Sequence, residues 1–318
     1  MVLTITGIGF YRVEEVEDAY QEKLGTIKTI DVNTLMHRNL KRLSGRLAKM
    51  FYIAIDKALS DAQLEKDTLL PIIAGSGISE VDAGQELVRQ IQESRGSSIS
   101  PTLVQNSVHN APVAFVSIGM QNTSPILMTA HSFLCWEASL DYAFSFISSS
   151  DHTSVIVVSG DQYKSSWIDM LSDVAEHELK NVLEQQNLRE GVMAMVLTSD
   201  NTKNSYGSIL QSAVIHLPDP SRLSIELIES YGFIISDDTQ IHISEFCKGF
   251  LPDTSELIAL LDIRSEQIIY HSNRDGVSLA TPFTKLMNSK GKKCSGHHLF
   301  LNSEYNDLSM VEVELNFT

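Results

Sequence analysis

Pro125-Ile-Leu-Met-Thr129, then Ser132-Phe-Leu-Cys-Trp-Glu-Ala-Ser-Leu-Asp-Tyr-Ala-Phe-Ser-Phe146, then Ser154-Val-Ile-Val-Val-Ser-Gly160 follow one another with short joins. The first run, Ile126–Thr129 after its proline, is apolar and uncharged, the pattern of a strand covered on both faces or lying in an interface. The second is mostly apolar, which predicts a helix buried on several sides. The third is rich in β-branched residues and predicts a core strand. Strand, helix and strand in succession form the unit from which parallel sheets are built, so the chain reads as α/β.

The same alternation extends in both directions. Upstream, Val2–Gly9 reads as a buried opening strand, and Leu40, Leu43, Leu47, Phe51, Ala54 and Ala58 fall at helical spacing between Leu40 and Leu59. Pro71-Ile-Ile-Ala-Gly-Ser-Gly77 is a short apolar strand ending in a glycine turn, followed by an amphipathic helix over Val81–Ile91. Downstream, Trp167–Leu183 reads as a helix and Gly191–Leu197 as a strand. The polar stretch after Asp200 marks a join, giving an N-terminal half over 1–205 and a C-terminal half over 206–318 in one compact body. The second half restarts with strands at Ser208–His216, Thr239–Glu245, Gln267–His271, Leu299–Leu301 and Met310–Phe317, and helices at Ser221–Tyr231 and Asp253–Leu261. No sequence repeat of 20–50 residues is visible.

At 43% hydrophobic and 20% charged, the 318 residues describe a globular protein with enough apolar material for a sizeable core. No run approaches the roughly 18–20 apolar residues that cross a bilayer. The opening lacks a basic leader followed by an apolar stretch, so export is not expected. Three cysteines, Cys135, Cys247 and Cys294, fit free thiols in a reducing cytoplasm. With 24 basic and 40 acidic residues the net charge is −16, which repels nucleic acid and anionic lipid.

Common catalytic signatures fail. Gly75-Ser-Gly77-Ile-Ser-Glu80 has Glu80 where a dinucleotide fingerprint needs its third glycine, which leaves a tight turn between strand and helix. His177-Glu178 lacks a histidine one turn on, where Asn181 stands, so it reads as a solvated helix face. His297-His298 has no cysteine or carboxylate at ligand spacing and reads as a loop or the start of a strand. No Gly-x-Ser-x-Gly elbow is present.

Ser100-Pro-Thr-Leu-Val-Gln-Asn-Ser-Val-His-Asn-Ala-Pro-Val-Ala-Phe-Val-Ser-Ile118 resembles the β-ketoacyl synthase family, which has the thiolase fold, and looks most like a short ketosynthase-like branch known from polyene-type biosynthesis. Other pieces follow in the family's order: Thr4-Ile-Thr-Gly-Ile-Gly9, Lys41-Arg42 before a helix, Ile73-Ala-Gly-Ser-Gly77, Arg189-Glu190-Gly191, and Leu301-Asn302-Ser303 before Met310–Leu315. The resemblance spans nearly the whole chain and implies two βαβ-rich halves stacked as αβαβα layers.

It also implies what the reaction centre would contain. Ketosynthases carry an acyl-accepting cysteine at a helix N-terminus, where backbone donors lower its pKa. Counting from Ser124-Pro125, that position is Phe133, with Leu140 keeping the register, and a phenyl ring forms no thioester. The family's two histidine positions fall on Cys247, within Glu245–Pro252, and on Gly276, with His271 where a lysine usually stands. Glu304-Tyr305-Asn306-Asp307 replaces the glycine-rich gating loop. Four concurrent changes imply a subunit without condensing chemistry.

The expected role is therefore that of a chain-length factor. It would pair with an active ketosynthase in type II polyketide or fatty-acid-like biosynthesis, and shape the acyl or polyene tunnel. In thiolase-fold dimers the strand before the nucleophile helix pairs across the interface; here that strand is Ile126, Leu127, Met128 and Thr129, with Phe133, Leu134 and Trp136 filling the former chamber. An internal core strand would show the same pattern. The acidic surface directs an acyl carrier protein mainly to the partner subunit, although the basic run Lys290–Lys293 opposes this locally. No cofactor, metal, nucleic acid or membrane span is expected. Two alternatives stand beside this reading: an acyltransferase using Cys135 with His131 one turn before it, and a homodimeric protein that binds an acyl or aromatic ligand.

Overall fold

The computed structural model describes residues 1–12, 24–25, 38–65, 68–96, 98–131, 134–162, 188–200, 205–244, 247, 251, 254–271, 295–304 and 306–316. In chain order the elements are β1 (Leu3–Arg12), β2 (Leu24–Gly25), α1 (Arg38–Leu43), α2 (Arg46–Asp61), β3 (Ile72–Gly75), α3 (Val81–Ser94), α4 (Pro101–Ser107), α5 (Ala111–Gly119), β4 (Ile126–Thr129) and α6 (Cys135–Ser149). They continue as β5 (Ser154–Asp161), β6 (Leu188–Arg189), β7 (Gly191–Thr198), β8 (Gly207–His216), α7 (Ile225–Ser230), β9 (Gln240–Ser244), α8 (Thr254–Leu261), β10 (Ile268–His271), β11 (Ser295–Glu304) and β12 (Asp307–Asn316). The helix expected over Trp167–Leu183 lies outside the described residues.

Ten strands form one sheet in the order β10-β9-β11-β12-β8-β1-β7-β5-β3-β4, while β2 and β6 pair separately. From the centre outward, β1–β7 and β7–β5 are antiparallel and β5–β3 and β3–β4 parallel. The second half repeats the scheme: β8–β12 and β12–β11 are antiparallel, β11–β9 and β9–β10 parallel. Strand by strand in chain order, β1, β3, β4, β5 and β7 match β8, β9, β10, β11 and β12. The halves join where Leu3–Ile5 of β1 runs antiparallel to Gly207–Ile209 of β8. This internal twofold is a repeat of ladder pattern, with no matching repeat of residues to reveal it.

Alternation along the strands sorts side chains into stacked cores. On one face of the N-terminal half, Ile72, Ala74, Ile156, Val158, Val192, Ala194 and Val196 meet α2. On the other face Ile73, Val155, Val157, Met193, Met195 and Leu197 meet α6, through Trp136, Leu140, Ala143 and Ile147. Val311, Val313, Leu315 and Phe300 of the second half close the same core from the far side. Accordingly α6 touches β3 and β5 as well as β8 and β12. A third core, with Ile241, Ile243, Leu299, Leu301 and Met310, lies beneath α7 and α8. Helix, sheet, helix, sheet, helix is thus the layering. Sheet residues cover α6 from both sides over its first two turns and along Ala143 and Ile147, while Asp141, Tyr142, Ser145, Ser148 and Ser149 stay exposed on its remaining face.

Two details depart from the sequence reading. The helix expected from Leu40 to Leu59 is broken at Ser44-Gly45 into α1 and α2. The cause comes from elsewhere in the chain: the buried carboxylate of Glu80 sits at the N-terminus of α2 and accepts the N–H of Ala48 at 3.0 Å. A Cβ on residue 45 would collide with that carboxylate, so glycine is required there. In the second half, the expected helix Ser221–Tyr231 is a 3-10 turn at Pro220–Arg222 followed by the shorter α7, whose first turn is capped by the Ser224 hydroxyl.

Candidate functional site

The N-terminus of α6 is the place where the family resemblance puts a nucleophile. Phe133 and Ser132 lie outside the described residues, and so does Gly276. The neighbours are clear. Leu134 and Trp136 are buried, Trp136 within the core between the halves. Cys135 opens the helix and is also fully buried, and its Sγ accepts the backbone N–H of His131 at 2.9 Å. The His131 ring faces the other half of the molecule, with Nε2 3.4 Å from Oδ2 of Asp307. The other oxygen of Asp307 meets Nδ1 of His216 at 2.8 Å. Cys135 and His131 are therefore close through sulfur and backbone, while the imidazole is engaged by a carboxylate. A thiol enclosed in this way lacks the solvent access of a reactive cysteine.

Cys247 stands where the resemblance puts the first histidine. Its side chain is buried, and its thiol contacts the carbonyl of Leu301 at 3.5 Å. Burial pushes the thiol up to about 12, against lowering contributions from the Ser303 side chain and the Ser244 backbone; the Glu137 carboxylate raises it further. Above it, Glu137 of α6 accepts the Asn302 amide at 3.0 Å. A thiol that stays protonated to such high pH accepts no proton near neutrality, and its weak S–H donor is turned to the Leu301 carbonyl.

β4 ends the sheet and pairs only with β3 among the described strands. It is not the internal core strand that its composition also allowed: Ile126 and Leu127 are each 39% exposed. Met128 packs toward the α2 core and Thr129 is buried, its Oγ1 3.2 Å from Ser139 Oγ. The helices that touch β4 add exposed apolar groups of their own, Ile118 on α5 and Tyr142 on α6. Next to this edge, His109 Nε2 meets the Thr129 carbonyl at 3.2 Å. His109 also lines a groove of about 500 Å³ whose walls include Ile78, Val81, Val88 and Glu80.

Sequence reasoning missed a buried polar floor at the ends of β3 and β5. Asp161 takes the Ser76 hydroxyl and the Ile78 N–H, the latter at 3.1 Å. Burial raises Asp161 to about 6, although those donors pull it down. Glu80 is likewise raised by burial, opposed by the N–H groups of Ala48, Leu47 and Arg46, and it also accepts from Gln162 Nε2 at 3.2 Å. Arg46 pairs with the fully buried Glu190. The available signal was Glu80 itself, an acid in place of a glycine.

His297-His298 stand near the start of a strand, the second of the two settings their sequence allowed. Both lie inside β11, on opposite faces. Glu312 and Thr239, distant in sequence, reach Nε2 and Nδ1 of His297 at 2.5 and 2.8 Å. Among the described residues no group of three histidine, cysteine or acidic side chains is arranged to hold a metal, and no helix is long and apolar enough to cross a membrane.

No family model and no curated protein matches the sequence. Solved structures do share its fold. One is described as the type II polyketide acyl-carrier protein in complex with its ketosynthase bound to the hexaketide (AntDE:AntF), at a TM-score of 0.72 and 12% identity, covering 99% of both chains. The ishigamide ketosynthase/chain length factor gives a TM-score of 0.69 at 12% identity, again with 99% of both chains covered. A β-ketoacyl synthase from Burkholderia phymatum STM815 gives 0.72 at 11% identity, covering 99% of each chain. The chain has the thiolase-like fold of these ketosynthase structures from end to end.

Proposed function

We propose that this protein is a ketosynthase-like subunit without condensing chemistry of its own, which pairs through β4 with an active ketosynthase and shapes the tunnel that receives the growing acyl or polyene chain. The observation that carries the proposal is Cys247. Where the family resemblance calls for a histidine, the chain supplies a buried thiol pushed up to about 12. Phe133 and Gly276 at the other two catalytic positions point the same way.

The open edge of β4 supports the pairing. A strand with no neighbour on its outer side among the described strands, and with Ile126 and Leu127 exposed, invites another strand beside it. The net charge of −16 favours a partner that takes on most of the docking with an acidic carrier protein. The competing reading, a nucleophile moved to Cys135, has the backbone donor that a thiolate needs but finds the sulfur enclosed, with no access for an acyl group. A homodimer that binds an acyl or aromatic ligand would use the same edge, and it is the alternative outcome of the test below.

The decisive experiment is co-expression with a complete ketosynthase encoded alongside it, followed by size-exclusion chromatography and a condensation assay. A 1:1 complex that condenses, with no activity from this chain alone, is expected. Condensation by the isolated chain, or a homodimer that ignores the ketosynthase, overturns the proposal.

A further inference from the structure

The inner face of the C-terminal half carries a diagonal row of imidazoles across three adjacent strands: His298 in β11, His242 in β9 and His271 in β10. His242 stands between the others, with Nδ1 2.7 Å from His271 Nε2 and Nε2 3.0 Å from His298 Nδ1. Strand alternation produces the row. Ile241, Ile243, Leu299 and Leu301 point into the outer core, which turns His242, His298 and Phe300 inward. The Phe300 ring stacks on His242 with centroids 4.6 Å apart.

Counting protons shows what the row tolerates. A neutral imidazole has one N–H and one lone pair. Three neutral rings satisfy both contacts if His298 donates from Nδ1 to His242 and His242 donates from Nδ1 to His271. His298 Nε2 is then a bare lone pair, in keeping with its being buried without a hydrogen-bond partner. A fourth proton has no such solution. Whichever ring is the cation, keeping both contacts requires an N–H on His298 Nε2, where there is no acceptor. The alternative is to break a contact, and His271, half-buried on β10, is the outermost ring of the row.

Of the charged groups near the row, Glu137 of α6 faces the same side, with Oε1 taking the Asn302 amide at 3.0 Å and Oε2 buried. His297 and Glu312 form their own pair on the opposite face of β11 and β12. On the same face as the rings, β9 offers Ser244 and β12 offers Val311 and Val313.

We propose that His271, His242 and His298 form a proton-operated clasp on β10, the last of the described strands on that side of the sheet, closed while all three rings are neutral and released when the row takes up a further proton. Burial agrees with the geometry: it lowers His242 to about 2 and His298 to about 4, with the neighbouring histidines adding to it. The sign follows. Unfolded histidine binds its proton near pH 6.5, so the clasp contributes fully above that pH and loses its contribution as pH falls toward 4. The clasp stands independently of the functional reading above.

Hydrogen–deuterium exchange on the full chain at pH 7.5 and 5.0, corrected for intrinsic rates, tests it. Peptides covering 268–271 are expected to lose protection at least tenfold at pH 5.0, while β7 peptides keep theirs. His271→Phe is expected to abolish that pH response. An unchanged β10, a loss spread evenly over the molecule, or the same loss in His271→Phe overturns the clasp. Should the variant not fold, histidine-selective NMR of the wild type decides: His242 and His298 staying neutral at pH 6 supports it, and either titrating between pH 6 and 7 in the folded protein refutes it.

Discussion

The carboxylate of Glu80, in the turn after β3, accepts the backbone N–H of Ala48 at 3.0 Å and so caps a helix that begins thirty-odd positions earlier in the chain. α2 has no side-chain cap of its own at Gly45 and no acid in its first turn. The borrowed carboxylate meets the orphan donors and the positive end of the helix dipole.

Removing this cap is expected to cost about 0.5–2 kcal/mol in Glu80→Ala, in the range of other helix caps. Gly45→Ala places a methyl group against the same carboxylate and is expected to cost roughly 1–3 kcal/mol. Because both act at one contact, the double variant should lose less than the sum. Urea denaturation of the four proteins checks this, and strict additivity would mean that the two residues do not meet.

Asp161 gives a pH signature. Its folded pKa, about 6, lies above the ordinary value of 3.8, so the folded state holds the proton more tightly. Stability from this group is present at low pH and falls as pH rises from about 4 through 6, by on the order of 3 kcal/mol. Asp161→Asn should remove that slope. The measurement is the difference in unfolding free energy between wild type and variant at pH 4.5 and pH 7.

Thiol labelling separates the functional readings. With Cys135 and Cys247 both buried, neither is expected to react with iodoacetamide at pH 8 until the protein is unfolded. Peptide-resolved mass spectrometry reads the outcome. Prompt labelling of Cys135 in the native protein would favour the relocated nucleophile.

The β4 edge should tolerate charge in the monomer and not in a complex. Leu127→Lys replaces a side chain already 39% exposed, so the unfolding midpoint should stay close to that of wild type. Association with a ketosynthase should weaken by about tenfold or more, from the loss of one buried leucine and the desolvation of a lysine. Unchanged co-elution would move the interface elsewhere.

Much of the framework was readable from local pattern. β5 and β7 announce themselves because every residue from Val155 to Val158 and from Val192 to Leu197 is buried, so each run is uniformly apolar. What was not readable depends on distant partners. Nothing near Ser44-Gly45 says that Glu80 will break the helix there. Ile126–Thr129 looks the same whether it lies at the centre of a sheet or at its margin, because strand order decides that. The histidine row needs the registers of β9, β10 and β11 together. Glu312 reaches His297 only because β12 folds back beside β11.

The seam between the halves has a consequence of its own. β1 and β8 share three residue pairs, whereas β1 and β7 share eight. Pulled from its two ends, such a molecule would rip along this short zipper before either five-stranded block gave way, and α6, gripped by both blocks, would be the rivet that sets the breaking force.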